Sequence, residues 1–118
     1  MTTKTIGNFG ELLARDYLQK NGYKIITTNY RTKLGEVDII AKEGETLCFI
    51  EVKTRSGTKF GSPEESINKN KLAKIGNCLQ YYLQTREQKF NDYRIDVVAI
   101  ELLNNQVSRI EIIKNASL

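Results

Sequence analysis

The chain of 118 residues contains no histidine. That gap excludes serine and cysteine triads that use imidazole as base, His-ligated zinc hydrolase sites and His-metal nucleases. Chemistry must then rest on carboxylates, lysine and tyrosine, and a metal partner would be a hard, oxygen-ligated ion such as Mg2+ or Mn2+. Long apolar runs are missing as well. No stretch approaches the roughly 18 consecutive apolar residues of a membrane span, and Met1-Thr2-Thr3-Lys4 leads into a mixed segment instead of a signal-peptide core. Cysteine is scarce: Cys48 and Cys78 have no Cys-x-x-Cys spacing and fall in elements of different type, so they read as buried reduced thiols. The expectation is a cytoplasmic protein without a membrane partner. Repeats, linkers and low-complexity segments are also lacking.

What is present is ordinary globular composition, 40% hydrophobic and 27% charged, in a length that suits one domain over residues 1–118. The net charge of +4 is modest, but it is not spread evenly. Between Lys53 and Lys74 stand Lys53, Arg55, Lys59, Lys69, Lys71 and Lys74 against Glu64 and Glu65, so this segment carries the whole excess. It reads either as a solvated face or as a phosphate-contacting surface.

Phe9, Leu12, Leu13, Tyr17 and Leu18 recur at helical spacing, which predicts a helix over about 7–20, capped by Thr5 or Asn8 and stopped by Asn21-Gly22. Tyr23 to Tyr30 reads as a strand at a sheet edge or with one solvated face. Glu36 to Ala41 and Thr46 to Thr54 flank Lys42-Glu43-Gly44-Glu45 and predict a β-hairpin. Ser62-Pro63-Glu64-Glu65 has the form of a capping box and predicts a helix over 63–86, with Leu72, Ile75, Leu79, Tyr82 and Leu83 as its buried stripe. Two further strands follow at 93–100 and 107–113, joined at Asn104-Asn105. The order α-β-β-β-α-β-β implies an α/β fold: a mixed five-stranded sheet flanked by helices, the second helix returning the chain to a parallel neighbour.

Within the hairpin the charges are conspicuous. Asp38 lies in Gly35-Glu36-Val37-Asp38-Ile39-Ile40, and Glu51 and Lys53 lie in Cys48-Phe49-Ile50-Glu51-Val52-Lys53-Thr54. A buried charge costs several kcal/mol unless it is paired or holds a metal. Strand alternation puts Cys48, Ile50 and Val52 on one face and Leu47, Phe49, Glu51 and Lys53 on the other; Val37 and Ile39 fall on one face, with Glu36, Asp38 and Ile40 opposite. Asp38 and Glu51 meet only if paired residue numbers sum to an odd value such as 87 or 89, and a Glu43-Gly44 turn would give 87. Carboxylates on adjacent strands, with a lysine two residues on, can hold a metal and orient a water for phosphodiester hydrolysis. The rival readings are structural: a salt-bridged Glu51 and Lys53, an Asp38 accepting backbone hydrogen bonds at a strand end, and a Glu11 that is a helix-surface carboxylate.

Several stretches carry a resemblance: Gly7-Asn8-Phe9-Gly10-Glu11, Ala14, Tyr17-Leu18, Gly22-Tyr23, Asn29-Tyr30-Arg31, the Asp38 and Glu51 segments, Phe60-Gly61-Ser62-Pro63 and Arg94-Ile95-Asp96-Val97-Val98. In these the chain resembles the YraN family of small bacterial proteins and, more broadly, the restriction-endonuclease-like PD-(D/E)XK nucleases, including archaeal Holliday junction resolvases. The proline of that motif is absent, Val37 standing before Asp38. The resemblance implies a Mg2+- or Mn2+-dependent nuclease hydrolysing DNA, with branched or single-stranded DNA as candidate substrates. The alternative is a non-catalytic nucleic-acid-binding module with a nuclease-like fold. It also implies that Asp38, Glu51, the Val52 carbonyl and Glu11 hold the metal and that Lys53 is the motif lysine. Arg55, Lys71 and Arg31 are candidate phosphate contacts, Tyr30 and Phe60 candidate stacking residues whose ordinary role would be packing. A homodimer would suit the two related strands of a junction.

Overall fold

The computed structural model describes residues 2–57, 59 and 61–116. Helix α1, Thr3–Lys20, is followed by β1, Tyr23–Thr32, then β2, Gly35–Glu43, and β3, Thr46–Ser56. Helix α2 spans Lys69–Thr85, and β4, Asp92–Leu103, and β5, Gln106–Ile113, complete the chain. The five strands form a single sheet in chain order, β1-β2-β3-β4-β5. Only β3 and β4 run parallel; the other neighbours are antiparallel. This is the mixed sheet with flanking helices that the order of elements implies. Phe60 lies outside the described residues.

Each face of the sheet is closed by one helix. Ala14 and Leu18 of α1 pack on Ile39, Ala41, Cys48, Ile50, Val98 and Ile100. On the other face Ile75, Cys78, Leu79 and Tyr82 of α2 pack on Val37, Ile40, Leu47 and Phe49. Cys48 and Cys78 are free and buried in clusters on opposite faces, so the sheet itself separates them. Tyr30, Phe49 and Tyr82 meet edge to face with centroids 5.5–6.3 Å apart, so Tyr30 is a packing residue.

Two helix starts differ from expectation. Helix α1 begins four residues early because Thr2 is its cap, its hydroxyl accepting the Thr5 N–H at 3.2 Å. Near 63 the expected capping box does not form: Pro63, not Ser62, stands at the cap with no side-chain bond, and only a single 3-10 turn, Glu64–Ser66, follows. Ile67 then turns extended (φ −94°, ψ 116°), burying its side chain, and Asn68 caps α2 by accepting the Lys71 N–H at 2.9 Å. Burial of an isoleucine plus a second, better-satisfied cap outweigh one continuous helix. Arg109 fixes the 3-10 turn to the sheet, reaching Glu64 at 2.6 Å and Glu101 at 3.1 Å.

The strand ends are sharper than their composition suggests. Asn104 and Asn105 both take the positive φ (52° and 60°) that a two-residue I′ turn requires, which joins β4 to β5. The β2–β3 turn is Gly44-Glu45, not Glu43-Gly44, with Glu43 opposite Thr46 and Gly44 at φ +60°. Paired numbers therefore sum to 89, as in Ile39 opposite Ile50, and not to 87. The parity is odd, as a meeting of Asp38 with Glu51 demands.

Candidate functional site

Asp38 and Glu51 sit where the β2–β3 ladder ends. Pairing stops at Ile39 and Ile50, and one step further the Asp38 carboxylate replaces a ladder carbonyl, Oδ2 accepting the Val52 N–H at 2.8 Å. Strict alternation breaks at the same point. Val37 packs with Ile40 against α2, whereas Ile39 packs toward α1, so Val37 and Ile39 do not share a face. Opposite Asp38 on β1, Asn29 takes a left-handed φ of +53°, another mark of the local irregularity. The backbone-bonded reading of Asp38 is thus realised, and it leaves the carboxylate's other oxygen beside Glu51.

Glu51 is the chemically unusual group. It is only 4% exposed, on the strand face that also carries Leu47 and Phe49. Burial, then a hydrogen bond shared with Asp38, then the Asp38 charge push its pKa up from an ordinary 4.5 to about 8, against the pull of Lys71 and Lys53. Two carboxylates forced together share a proton or recruit a cation. Lys71 Nζ supplies one positive charge 3.5 Å from Glu51 Oε2. The ion partner of Glu51 is thus Lys71 on α2, not Lys53, which is half-buried on the same strand face. All the oxygens that converge here are hard donors. Two carboxylates suit Mg2+ or Mn2+, which complete their coordination with water and substrate phosphate.

Glu11 stands apart. Its Oε1 accepts from Asn29 Nδ2 at 3.1 Å, and among the described residues no three carboxylate or other metal-binding side chains gather at one point. Glu11 is thus linked to the site through Asn29, the residue opposite Asp38, and does not join the pair directly.

Positive charge surrounds the pair. A groove beside it is lined by Gly35, Glu36, Lys71, Lys74 and Ile75, and an adjoining one by Arg31, Lys33, Leu34 and again Lys74. Arg31 is exposed and pairs with Glu36 at 3.2 Å. Arg55 is exposed near the end of β3, beyond Lys53. Helix α2 has no acidic residue in its first turn but carries Lys69 and Lys71 there, the reverse of what the helix dipole favours. Sequence reasoning missed Lys33 and did not place Lys74 at the site; the lysine excess between 53 and 74 was the signal for Lys74, and Lys33 had none.

It also missed a second buried charge cluster. Asp96, fully buried, accepts from Tyr23 Oη (2.8 Å), Arg94 Nε (2.8 Å) and the Asn115 N–H (3.0 Å). Arg94 continues to Glu43 at 2.5 Å, and Lys114 reaches the same Glu43 at 2.6 Å. These contacts hold the Glu43 carboxyl below its usual range, while burial and the Asp96 bond drive the Tyr23 phenol up.

The model of the family described as "Uncharacterised protein family UPF0102" matches residues 10–100, a span that includes the Asp38 and Glu51 site, Asn29 and Asp96. The UPF0102 protein of Caldicellulosiruptor saccharolyticus is 46% identical over 117 residues, covering 98% of this chain and 99% of that one. That of Clostridium botulinum strain 657 is 48% identical over 117 residues, 96% and 94% of the two chains. The Dictyoglomus thermophilum relative is 43% identical over 102 residues, 86% of each. Matched across most of its length by the family model and by such relatives, the chain belongs to the UPF0102 family.

Proposed function

We propose that the chain is a Mg2+- or Mn2+-dependent nuclease that hydrolyses DNA phosphodiester bonds in the cytoplasm and belongs to the PD-(D/E)XK superfamily. The observation that carries this reading is the Asp38 and Glu51 pair, whose burial and mutual repulsion raise Glu51 to about 8, next to a basic groove that Lys71 joins to it. Such a pair is costly to keep for structure alone. Asp38, Glu51 and the Val52 carbonyl would hold the ion, which when bound supplies an activated water and neutralises charge on the phosphate. Lys53, on the same strand face as Glu51, orients the water and balances charge in the transition state. Lys71, Arg31 and Arg55 would bind the flanking phosphates, Lys71 exchanging its contact with Glu51 for one with the substrate. Glu11 acts through Asn29, holding the β1 segment that backs Asp38.

Incubation of linear, single-stranded, flapped and four-way-junction DNA with each metal tests this. Cleavage that disappears in Asp38→Ala and Glu51→Ala is the expected result; no cleavage of any substrate, or cleavage indifferent to both substitutions, refutes it.

One observation favours a non-catalytic nucleic-acid-binding module instead: Lys71 already supplies Glu51 with a cation built into the chain. That reading expects salt-dependent DNA binding that is the same with and without metal, and no turnover.

A further inference from the structure

We propose that Lys24 and Lys42 form a second ligand site, one that takes the phosphomonoester group of a nucleotide, at the end of the sheet remote from Glu51.

The β1–β2 register sets the two lysines directly opposite each other. Side chains so paired share a face with Cβ atoms about 5 Å apart, and like charges there cost stability. Lys42 is in turn opposite Leu47, which packs against α2, so both lysines lie on the α2 face. A lysine on the edge strand β1 guards the sheet against extension, but β2 is an inner strand and needs no such guard at Lys42. Nor is the charge answered nearby. Among the described residues neither lysine has a carboxylate partner. Glu43, the next residue, is on the other face opposite Tyr23, bound to Arg94 and Lys114. Lys42 is half-buried, its ammonium held 5.8 Å from the centre of the Phe90 ring.

Together with Ile26, Tyr82 and Gln88 the lysines line a cavity of about 470 Å3. No carboxylate lines it, whereas both grooves beside Glu51 include Glu36. At its rim Gly22 and Gly44 have nothing within 4 Å of where a Cβ would stand, so the mouth is open. Arg86, stacked on the Tyr82 ring at 4.5 Å, adds a third positive charge where the carbonyl end of α2 would otherwise repel an anion. Two lysines facing one uncharged cavity match a doubly charged phosphate. The space exceeds what phosphate alone fills: Ile26 and Tyr82 offer apolar wall to a base and sugar, and Gln88 can hydrogen-bond a base edge. Lys42 is four residues from Asp38 along β2, roughly 13 Å at about 3.3 Å per residue, so the two sites can fill independently. A free nucleotide and the 5′-terminal nucleotide of a strand present the same group, and the test separates them.

Isothermal titration of the full chain in EDTA uses AMP, adenosine, inorganic phosphate and a tetranucleotide with or without a 5′-phosphate. AMP should bind at least about tenfold tighter than adenosine or phosphate. Lys24→Gln and Lys42→Gln should each weaken AMP about tenfold while leaving the ligand-free thermal midpoint unchanged or raised, since each relieves the lysine repulsion. Asp38→Ala should bind AMP like the parent. A tetranucleotide that binds tighter than AMP, and only with its 5′-phosphate and Lys42, assigns the site to a strand end; binding of AMP without it assigns the site to free nucleotide. No binding of any phosphate-bearing probe, AMP no tighter than adenosine or phosphate, affinity unchanged in both lysine variants, or affinity lost in Asp38→Ala instead overturns the site. None of these results bears on whether DNA is cleaved at Glu51, so the two proposals fail separately.

Discussion

Replacing Glu51 by glutamine should make the metal-free protein more stable at alkaline pH, although it removes a charged residue with an ion partner. The carboxyl holds its proton more tightly in the folded chain, with a pKa of about 8, than in the unfolded chain, where the ordinary value is 4.5. Between those values the native state binds more protons, so unfolding free energy falls as pH rises. The stabilising contribution of protonated Glu51 is complete below about 4.5 and gone above about 8. Glutamine is a permanently neutral stand-in that still hydrogen-bonds Asp38, so it keeps that contribution at every pH. At about 1.4 kcal/mol per unit, the shift sets a ceiling near 5 kcal/mol for the gain at pH 8. The pull of Lys71 is already contained in the value of about 8; water reaching the carboxyl reduces the ceiling, which leaves roughly 2–5 kcal/mol. Urea unfolding of both proteins in EDTA, at half-unit steps from pH 5 to 9, measures the difference. It should be small at pH 5, widen through 7 and level off beyond 8. A Glu51→Gln protein less stable than the parent at pH 8, or a difference that does not vary with pH, refutes the forced carboxylate pair.

Three other substitutions probe separate parts of the fold. Asp38→Ala orphans the Val52 N–H now held at 2.8 Å, which costs about 1–3 kcal/mol in chemical denaturation, while relieving the charge that raises Glu51. Arg94→Met leaves Asp96 and Glu43 without their shared guanidinium and should cost about 3–5 kcal/mol, with DNA affinity of the surviving folded fraction unchanged. Gly10→Ala places a Cβ 1.8 Å from Thr54 Oγ1 and 2.9 Å from Thr54 Cβ, so α1 must lift from β3; thermal melting should show a loss of about 1–3 kcal/mol, recovered only in part by pairing it with Thr54→Ala, which keeps the Cβ, and further by Thr54→Gly.

Periodicity carries most of this fold. The strands and both helices lie where apolar spacing puts them, because each sheet face is sealed by one helix and tolerates few polar intrusions. What spacing cannot weigh is competition between two local solutions. Thr2 against Thr5, and the box at Ser62 against Asn68, were decided by which start also satisfies burial, as with Ile67. The hairpin shows a finer case. Odd parity was readable as a condition, yet 87 and 89 differ only in whether Gly44 closes or opens the turn; in the structure it opens it, with Glu43 opposite Thr46. At the site, the Asp38 and Glu51 pairing was legible from the strands, but Lys71 as the partner of Glu51 was not. That contact depends on where α2 starts and how it crosses the sheet, and neither is written in the order of residues along β3.

Among the described residues two acidic side chains are buried in the sheet, and they resolve the same problem in opposite ways. Asp96 has donors on three sides, from Tyr23, Arg94 and the Asn115 amide, so its charge is compensated wholly within the fold. Removing one of those partners therefore destabilises. Glu51 has a lysine at 3.5 Å on one side and a second carboxylate on the other, so its charge is compensated only in part. Neutralising Glu51 therefore stabilises. A charge in an apolar strand is ambiguous as a sequence feature, since both residues present it; the direction of the stability change on neutralisation separates them. A carboxylate pair compensated only in part costs stability, and a proton or a cation from outside the chain can complete it. That asymmetry, more than the residue types at the site, is the reason to look for a ligand at Glu51 and not at Asp96.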